Sequence, residues 1–138
     1  MNQFLTDVLK GLQSEPKYLD SKYFYDKKGD ELFQKIMSSE EYYLTNAEME
    51  IFSTQQAGIA DEVLKNSNQL DVIEFGPGDA TKSVHLLKEL AGRKAIAHYF
   101  PIDISKNIIG FLNETLPKEI PGIAIHGLPG EYFEMLSS

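Results

Sequence analysis

The sequence has no cysteine. That absence excludes a disulfide scaffold and any thiolate metal site. It also has no long apolar run, and nothing in it approaches the roughly 20 apolar residues of a membrane-spanning helix. Its opening, MNQFLTDVLKGLQ, mixes polar and apolar residues and lacks the continuous apolar segment of a secretory signal. Positive charge is scarce. Lys and Arg number 13 against 21 Asp and Glu, for a net charge of -8. That balance argues against nucleic acid as the main partner, because such binding relies on cations that neutralise phosphates. The histidines, His85, His98 and His126, show no H-E-x-x-H spacing, so no metal is expected. No internal repeat or low-complexity tract is visible. These absences predict a cytoplasmic protein with neither membrane nor nucleic acid as partner.

What is present fits one modest domain. The chain has 138 residues and 42% apolar content, enough to make general disorder an unsuitable reading. The first half reads helical. Phe4, Leu5, Val8, Leu9 and Leu12 recur at helical spacing. Pro16 and Gly29 bracket a stretch that reads as loop, with DKKGDE as a solvated part of it. Leu32, Phe33, Ile36 and Met37 give a short second helix. Thr45 and Glu48 have the spacing of a capping box, so Thr45 is expected to start a longer helix running to residue 64. The second half alternates. Residues 70–75 read as a buried strand, 81–91 as a helix and 95–102 as a second strand. Ser105 then caps a helix that Pro117 ends, and 122–126 form a third strand. Pro101 lacks a ladder donor and should mark the second strand's end or a bulge. Strand-helix-strand-helix-strand is the pattern of a parallel sheet with crossover helices.

The chemistry concentrates in VIEFGPGDATKS, residues 72–83. Three ligands compete for this strand-to-helix loop. A triphosphate loop has the form G-x-x-x-x-G-K-[ST], but Thr81 stands where the second glycine belongs and Pro77 removes an N–H. A dinucleotide loop needs G-x-G-x-x-G/A, and Thr81 again occupies the last position. S-Adenosylmethionine fits better. Gly76 and Gly78 allow close backbone approach after Glu74, and Asp103 ends the next strand, where a carboxylate can accept from ribose hydroxyls. An NAD-dependent oxidoreductase remains the alternative, since an acid at Asp103 serves that ribose too. A non-catalytic cofactor-binding or interaction fragment is the reading without an enzyme. Taken alone, the aromatics of KYFYD and EEYYLT read as core or loop anchors, and Lys82 as a solvated first-turn residue.

Further motifs carry a resemblance. Pro16-Lys17, the run from Lys22 to Asp26, Gly29, Leu32-Phe33, Glu41-Tyr42-Tyr43, Thr45 and Glu48 resemble the N-terminal segment of the histidine Nα-methyltransferase family. IEFGPGDATKS, YFPIDIS and GIAIHGLPGEYFEML resemble its later segments, so the similarity runs over nearly the whole chain. Asn46 departs from it, standing where the family commonly has Arg. So does Glu131-Tyr132, which lies where the family has Gly-Asp-Phe. The resemblance implies an α/β, Rossmann-like methyltransferase fold with an N-terminal helical appendage, present only as the N-terminal part of its sheet. Residues 1–66 would be a helical region contributing to the substrate site, and 67–138 the first half of the methyltransferase domain. It implies S-adenosyl-L-methionine as cofactor, contacted by Gly76, Gly78, Lys82, Asp103, Glu131 and Tyr132. Tyr42 and Tyr25 would approach the amino-acid substrate. The implied reaction is transfer of the sulfonium methyl to the α-amine of histidine or a related amino acid, with no catalytic base identifiable. The resemblance also implies a truncated chain, inactive alone. Its first strand would lack a neighbour on one side and offer an edge for a homodimer.

Overall fold

The computed structural model describes residues 2–137. Asn2 caps the first helix, α1 (Gln3–Gln13), accepting from the Phe4 N–H. A 3-10 turn follows at Ser21–Phe24. Helix α2 (Lys27–Met37) begins behind Asp26, whose carboxylate accepts from the Gly29 N–H at 2.8 Å. The stretch DKKGDE therefore opens a helix instead of forming a solvated loop. Gly29 is tolerated there for a reason the sequence hides. A Cβ on it would lie 1.6 Å from the Phe24 carbonyl oxygen, which crosses the first turn.

The longer helix expected from Thr45 is two helices, α3 (Leu44–Thr54) and α4 (Gln56–Val63). They part at Gln55, whose φ of -113° and ψ of 4° leave helical geometry. The capping box does not form. Tyr43 occupies the cap position with no side-chain bond, the Thr45 hydroxyl is buried without a partner, and Glu48 reaches across to Lys82 instead.

The second half follows the alternating pattern: β1 (Leu70–Phe75), α5 (Ser83–Gly92), β2 (Ile96–Asp103), α6 (Lys106–Glu119), β3 (Ala124–Ile125), β4 (Leu128–Pro129) and α7 (Tyr132–Leu136). This is a mixed α/β structure with a parallel sheet, in which β2 pairs β1 on one side and both β3 and β4 on the other. Pro117 does not end α6. It lies in the last turn, and the Ile120 N–H still reaches the Leu116 carbonyl at 2.8 Å.

Pro101 also departs from expectation. Strand β2 runs straight through it, paired to Glu74 and buried, and the one register shift falls at Leu70/Asp71. Its position explains this. The carbonyls of Tyr99 and Asp103 accept from His126 and Gly130 on the third lane of the sheet. Pro101 lies between them and faces the same way, opposite the gap between β3 and β4. The missing N–H is lost where the third lane is already broken, so β2 stays whole, while the expected third strand shortens to β3 and a second short strand, β4, follows beyond it. Gly127, in that gap, approaches α6 so closely that a Cβ would stand 2.7 Å from Ile109 and 2.8 Å from Asn113.

The core lies between the sheet and its helices. Leu87, Tyr99, Leu112, Leu116 and Ile120 are buried together, with Val72 packed against them. Full burial of each such side chain is worth about 1.5–3 kcal/mol. Tyr99 reaches a polar partner at depth, donating to Glu74 at 2.6 Å. The other face of β1 is open: Ile73 is 50% and Phe75 47% exposed. The strand expected to be buried is therefore half-buried on alternate residues and exposed on the others. Among the described residues no helix is long and apolar enough to cross a membrane.

Candidate active site

A cavity of about 580 Å³ opens beyond the carboxyl ends of β1 and β2, where open α/β sheets place their ligands. Its size falls within the ~300–1,000 Å³ of small-molecule sites. One wall comes from the sheet: Gly76 and Gly78 after β1, Asp103 and Ile104 ending β2, Ile108 of α6, and Gly130, Glu131 and Tyr132. The opposite wall comes from the N-terminal region: Asp20 before the 3-10 turn, Ser21 and Lys22 within it, Tyr25, and Asp30, Phe33 and Gln34 of α2.

The loop after β1 has three residues in left-handed backbone, Gly76 (φ 63°), Gly78 (φ 57°) and Ala80 (φ 57°). Two are glycine, for which this region carries no steric cost. Gly76 needs its missing side chain for a second reason, since a Cβ would meet the Tyr132 Oη at 2.9 Å. Asp79 holds the loop's far side, accepting from the Thr81 N–H at 3.1 Å and the Thr81 hydroxyl at 2.8 Å.

Asp103 is 9% exposed. Its Oδ1 accepts from the Ser105 N–H at 2.8 Å. Burial pushes the carboxyl above its ordinary pKa, the Ser105 N–H pulls it back, and the charge of Asp30 adds to the rise. Tyr132 leans on Phe75, with ring centroids 5.0 Å apart. Burial raises its phenol, and Asp103 adds to the shift.

The N-terminal wall is anchored by α1. Tyr23 donates to Asp7 at 2.6 Å and packs edge-on against Phe4 at 4.9 Å. Lys22 pairs with the same Asp7 at 2.7 Å and with Asp20 at 3.6 Å. The hydrogen bond from Lys22, followed by that from Tyr23, lowers the Asp7 carboxyl to about 2. Phe33 stands between two tyrosines, 6.4 Å from Tyr25 and 6.5 Å from Tyr42 by ring centroids.

Six of the residues singled out from the sequence meet in this cavity: Gly76, Gly78, Asp103, Glu131, Tyr132 and Tyr25. Glu131 has a further task there. Its Oε2 caps α7, accepting from the N–H groups of Phe133 at 3.0 Å and Glu134 at 3.3 Å. Tyr42 stands behind Phe33 and does not line the cavity. Lys82 does not line it either; it stands at the cap position of α5 with no side-chain cap bond and forms an ion pair with Glu48 of α3. Sequence reasoning missed Asp20, Ser21, Lys22, Asp30, Phe33, Gln34, Ile104, Ile108 and Gly130. Asp30 and Gln34 gave no signal, because their chemistry depends on what α2 faces.

Four carboxylates, Asp20, Asp30, Asp103 and Glu131, line the cavity against one lysine already paired to two acids. Such a lining favours a cationic ligand and repels a pyrophosphate. Among the described residues no group of three His, Cys, Asp or Glu side chains could hold a metal ion.

The profile of the family described as "Histidine-specific methyltransferase, SAM-dependent" matches residues 4–138. The chain belongs to that family. It is 33% identical over 131 residues to a histidine N-alpha-methyltransferase of Mycobacterium tuberculosis, covering 95% of this chain and 40% of that protein. The homologue of the same name in Mycolicibacterium smegmatis is 31% identical over 130 residues, covering 94% of this chain and 39% of that one. A 4-dimethylallyltryptophan N-methyltransferase of Claviceps fusiformis is 32% identical over 126 residues, covering 91% and 35%. The chain thus spans about 40% of the length of the first two relatives.

Proposed function

We propose that this chain is the donor-binding portion of an S-adenosylmethionine-dependent N-methyltransferase acting on the α-amine of histidine or a related amino acid. The observation that carries the reading is the acidic cavity at the strand ends, where Gly76 and Asp103 face Tyr25 and Phe33. The cofactor is itself cationic at sulfur, so the carboxylate lining and the absence of a basic phosphate cradle fit it. Bound there, it supplies a methyl group on a positively charged sulfur that departs as a neutral thioether.

The chain's own residues bind and orient. Gly76 and Gly78 would let the backbone approach the ligand without a Cβ in the way. The Asp103 oxygen not bonded to Ser105 would accept from the ribose hydroxyls, and Glu131 and Tyr132 would flank the adenine. Lys82 would act from behind the loop, through its place at the start of α5. Tyr25, and Tyr42 through Phe33, would position the acceptor amine. Catalysis would then rest mainly on proximity and on keeping that amine unprotonated. In this reading the sheet is the first part of a Rossmann-like methyltransferase domain beginning near residue 67, and residues 1–66 serve the substrate side. Tested alone, the 138 residues should bind donor without measurable turnover, since the relatives carry the reaction on much longer chains.

Calorimetric titration tests the reading. S-Adenosylhomocysteine should bind and NAD should not. Preference for NAD would overturn it.

A further inference from the structure

Among the described residues, Asp30 is the cavity's one acid linked by hydrogen bonds to Ser105, the residue that also holds Asp103. Its Oδ2 accepts from the Ser105 hydroxyl at 2.6 Å, across 75 positions of sequence. Ser105 is 2% exposed and serves three partners at once. Its hydroxyl donates to Asp30 and accepts from the Ile108 N–H at 3.4 Å, and its own N–H donates to Asp103 Oδ1 at 2.8 Å. One residue therefore fixes the start of α6, the orientation of Asp103 and the approach of α2.

Asp30 is itself rigidly placed. Its N–H donates to the Asp26 carbonyl at 2.8 Å, and the adjoining Gly29 lies hard against the Phe24 carbonyl. Tyr25 and the helix bearing Phe33 are thus joined to Asp30 by these backbone contacts. The bond from the Ser105 hydroxyl to Asp30 ties this segment to the residue whose N–H holds the acid at the end of β2.

We propose that Asp30 is a positioning residue. By holding the Ser105 hydroxyl it sets the orientation of Asp103 and closes the Tyr25–Phe33 wall over the donor cavity. The proposal rests on the donor-site reading above, and it assigns Asp30 no contact with the ligand. A charged acceptor for a buried hydroxyl is a strong hydrogen bond. Its loss leaves Ser105 free to rotate and α2 free to lift.

The competing role for Asp30 is simple attraction of a cation across the cavity. Two ligands and two substitutions separate the roles. S-Adenosylmethionine carries the sulfonium charge and S-adenosylhomocysteine does not. Asp30→Ala removes both acceptor and charge, whereas Asp30→Asn removes the charge and keeps a carbonyl acceptor. Positioning predicts that Asp30→Ala weakens both ligands alike, by about three- to tenfold, the scale of one lost hydrogen bond. Asp30→Asn should then restore most of the affinity. Ser105→Ala should reproduce the Asp30→Ala loss, and the double variant should be no weaker than either single one. Hydrogen exchange at the Ser105 amide, measured without ligand, should be faster in Asp30→Ala than in the wild type. Loss confined to S-adenosylmethionine, equal in Asn and Ala variants, would overturn the proposal in favour of charge. Unchanged binding together with unchanged Ser105 protection would overturn it outright. A wild-type chain that binds neither ligand would overturn the donor-site reading instead, and Ser105 protection would still report on the bond itself.

Discussion

Asp103 combines two demands that pull against each other. In the proposed role it accepts from hydroxyl groups best when ionised, yet it lies buried beside another acid, and burial, the larger cause, raises its pKa with Asp30 adding to the rise. Hydroxyl donors bind the ionised form, so donor affinity should fall as the pH drops through the raised value. The loss should begin at a higher pH than an ordinary carboxylate would give. S-Adenosylhomocysteine titrations between neutral pH and the carboxylate range check this, and Asp103→Asn should remove that acid-limb dependence. Replacement by Ala at neutral pH should cost about 1.5–3 kcal/mol of binding, as for a hydrogen bond to a charged group. An unaltered isotherm would end the ribose assignment. Gly76 offers the complementary steric test. Gly76→Ala places a methyl group 2.9 Å from the Tyr132 Oη at a φ of 63°. Donor binding should be lost or much weakened while the far-ultraviolet dichroism stays near that of the wild type.

Among the elements, α2 carries more of the site than its sequence suggests. It contributes Asp30, Phe33 and Gln34 to the cavity, and its entry is fixed by the contact between Gly29 and Phe24. Gly29→Ala should therefore destabilise the protein by at least the ~1–3 kcal/mol typical of overpacking, read as a lower urea midpoint. Gly58 of α4 is the control, for a Cβ there meets nothing within 4 Å. Gly58→Ala should leave stability unchanged or raise it by up to about 1 kcal/mol. Similar losses at both sites would show that the close approach at Gly29 is not what fixes α2. The broken third lane of the sheet, β3 and then β4, belongs to the same scale. Proline in a central strand is tolerated because its silent nitrogen faces the break between β3 and β4.

Seen whole, the molecule covers one face of its sheet and leaves much of the other open. Strand β1 pairs only with β2, so its outer edge has no neighbouring strand among the described residues. Beside that edge, Ile73 and Phe75 stand half exposed on the open face. Unpaired backbone groups next to apolar side chains form a template for another chain. This chain studied alone should therefore self-associate at micromolar concentration. Sedimentation should show a dimer or larger species, and Ile73→Lys should shift it toward monomer by charging the open face. A wild-type chain that stays monomeric across that range would refute the expectation.

The sequence by itself determined the periodic parts of this protein. The order of strands and helices in the second half was legible because hydrophobic spacing and glycine placement are local signals. The placement of Gly76, Gly78 and Asp103 was legible for the same reason, since each sits where a strand ends. Family motifs pointed to Glu131, Tyr132 and Tyr25, which the fold brings into one cavity with them. The tertiary structure decided the rest. It turned Glu48 from a cap into the partner of Lys82 and divided the helix at Gln55. It carried β2 through Pro101 and set Asp30 on Ser105, 75 positions away. None of these has a local signal. Each depends on which backbone group or side chain a distant element presents, and only packing brings those elements together.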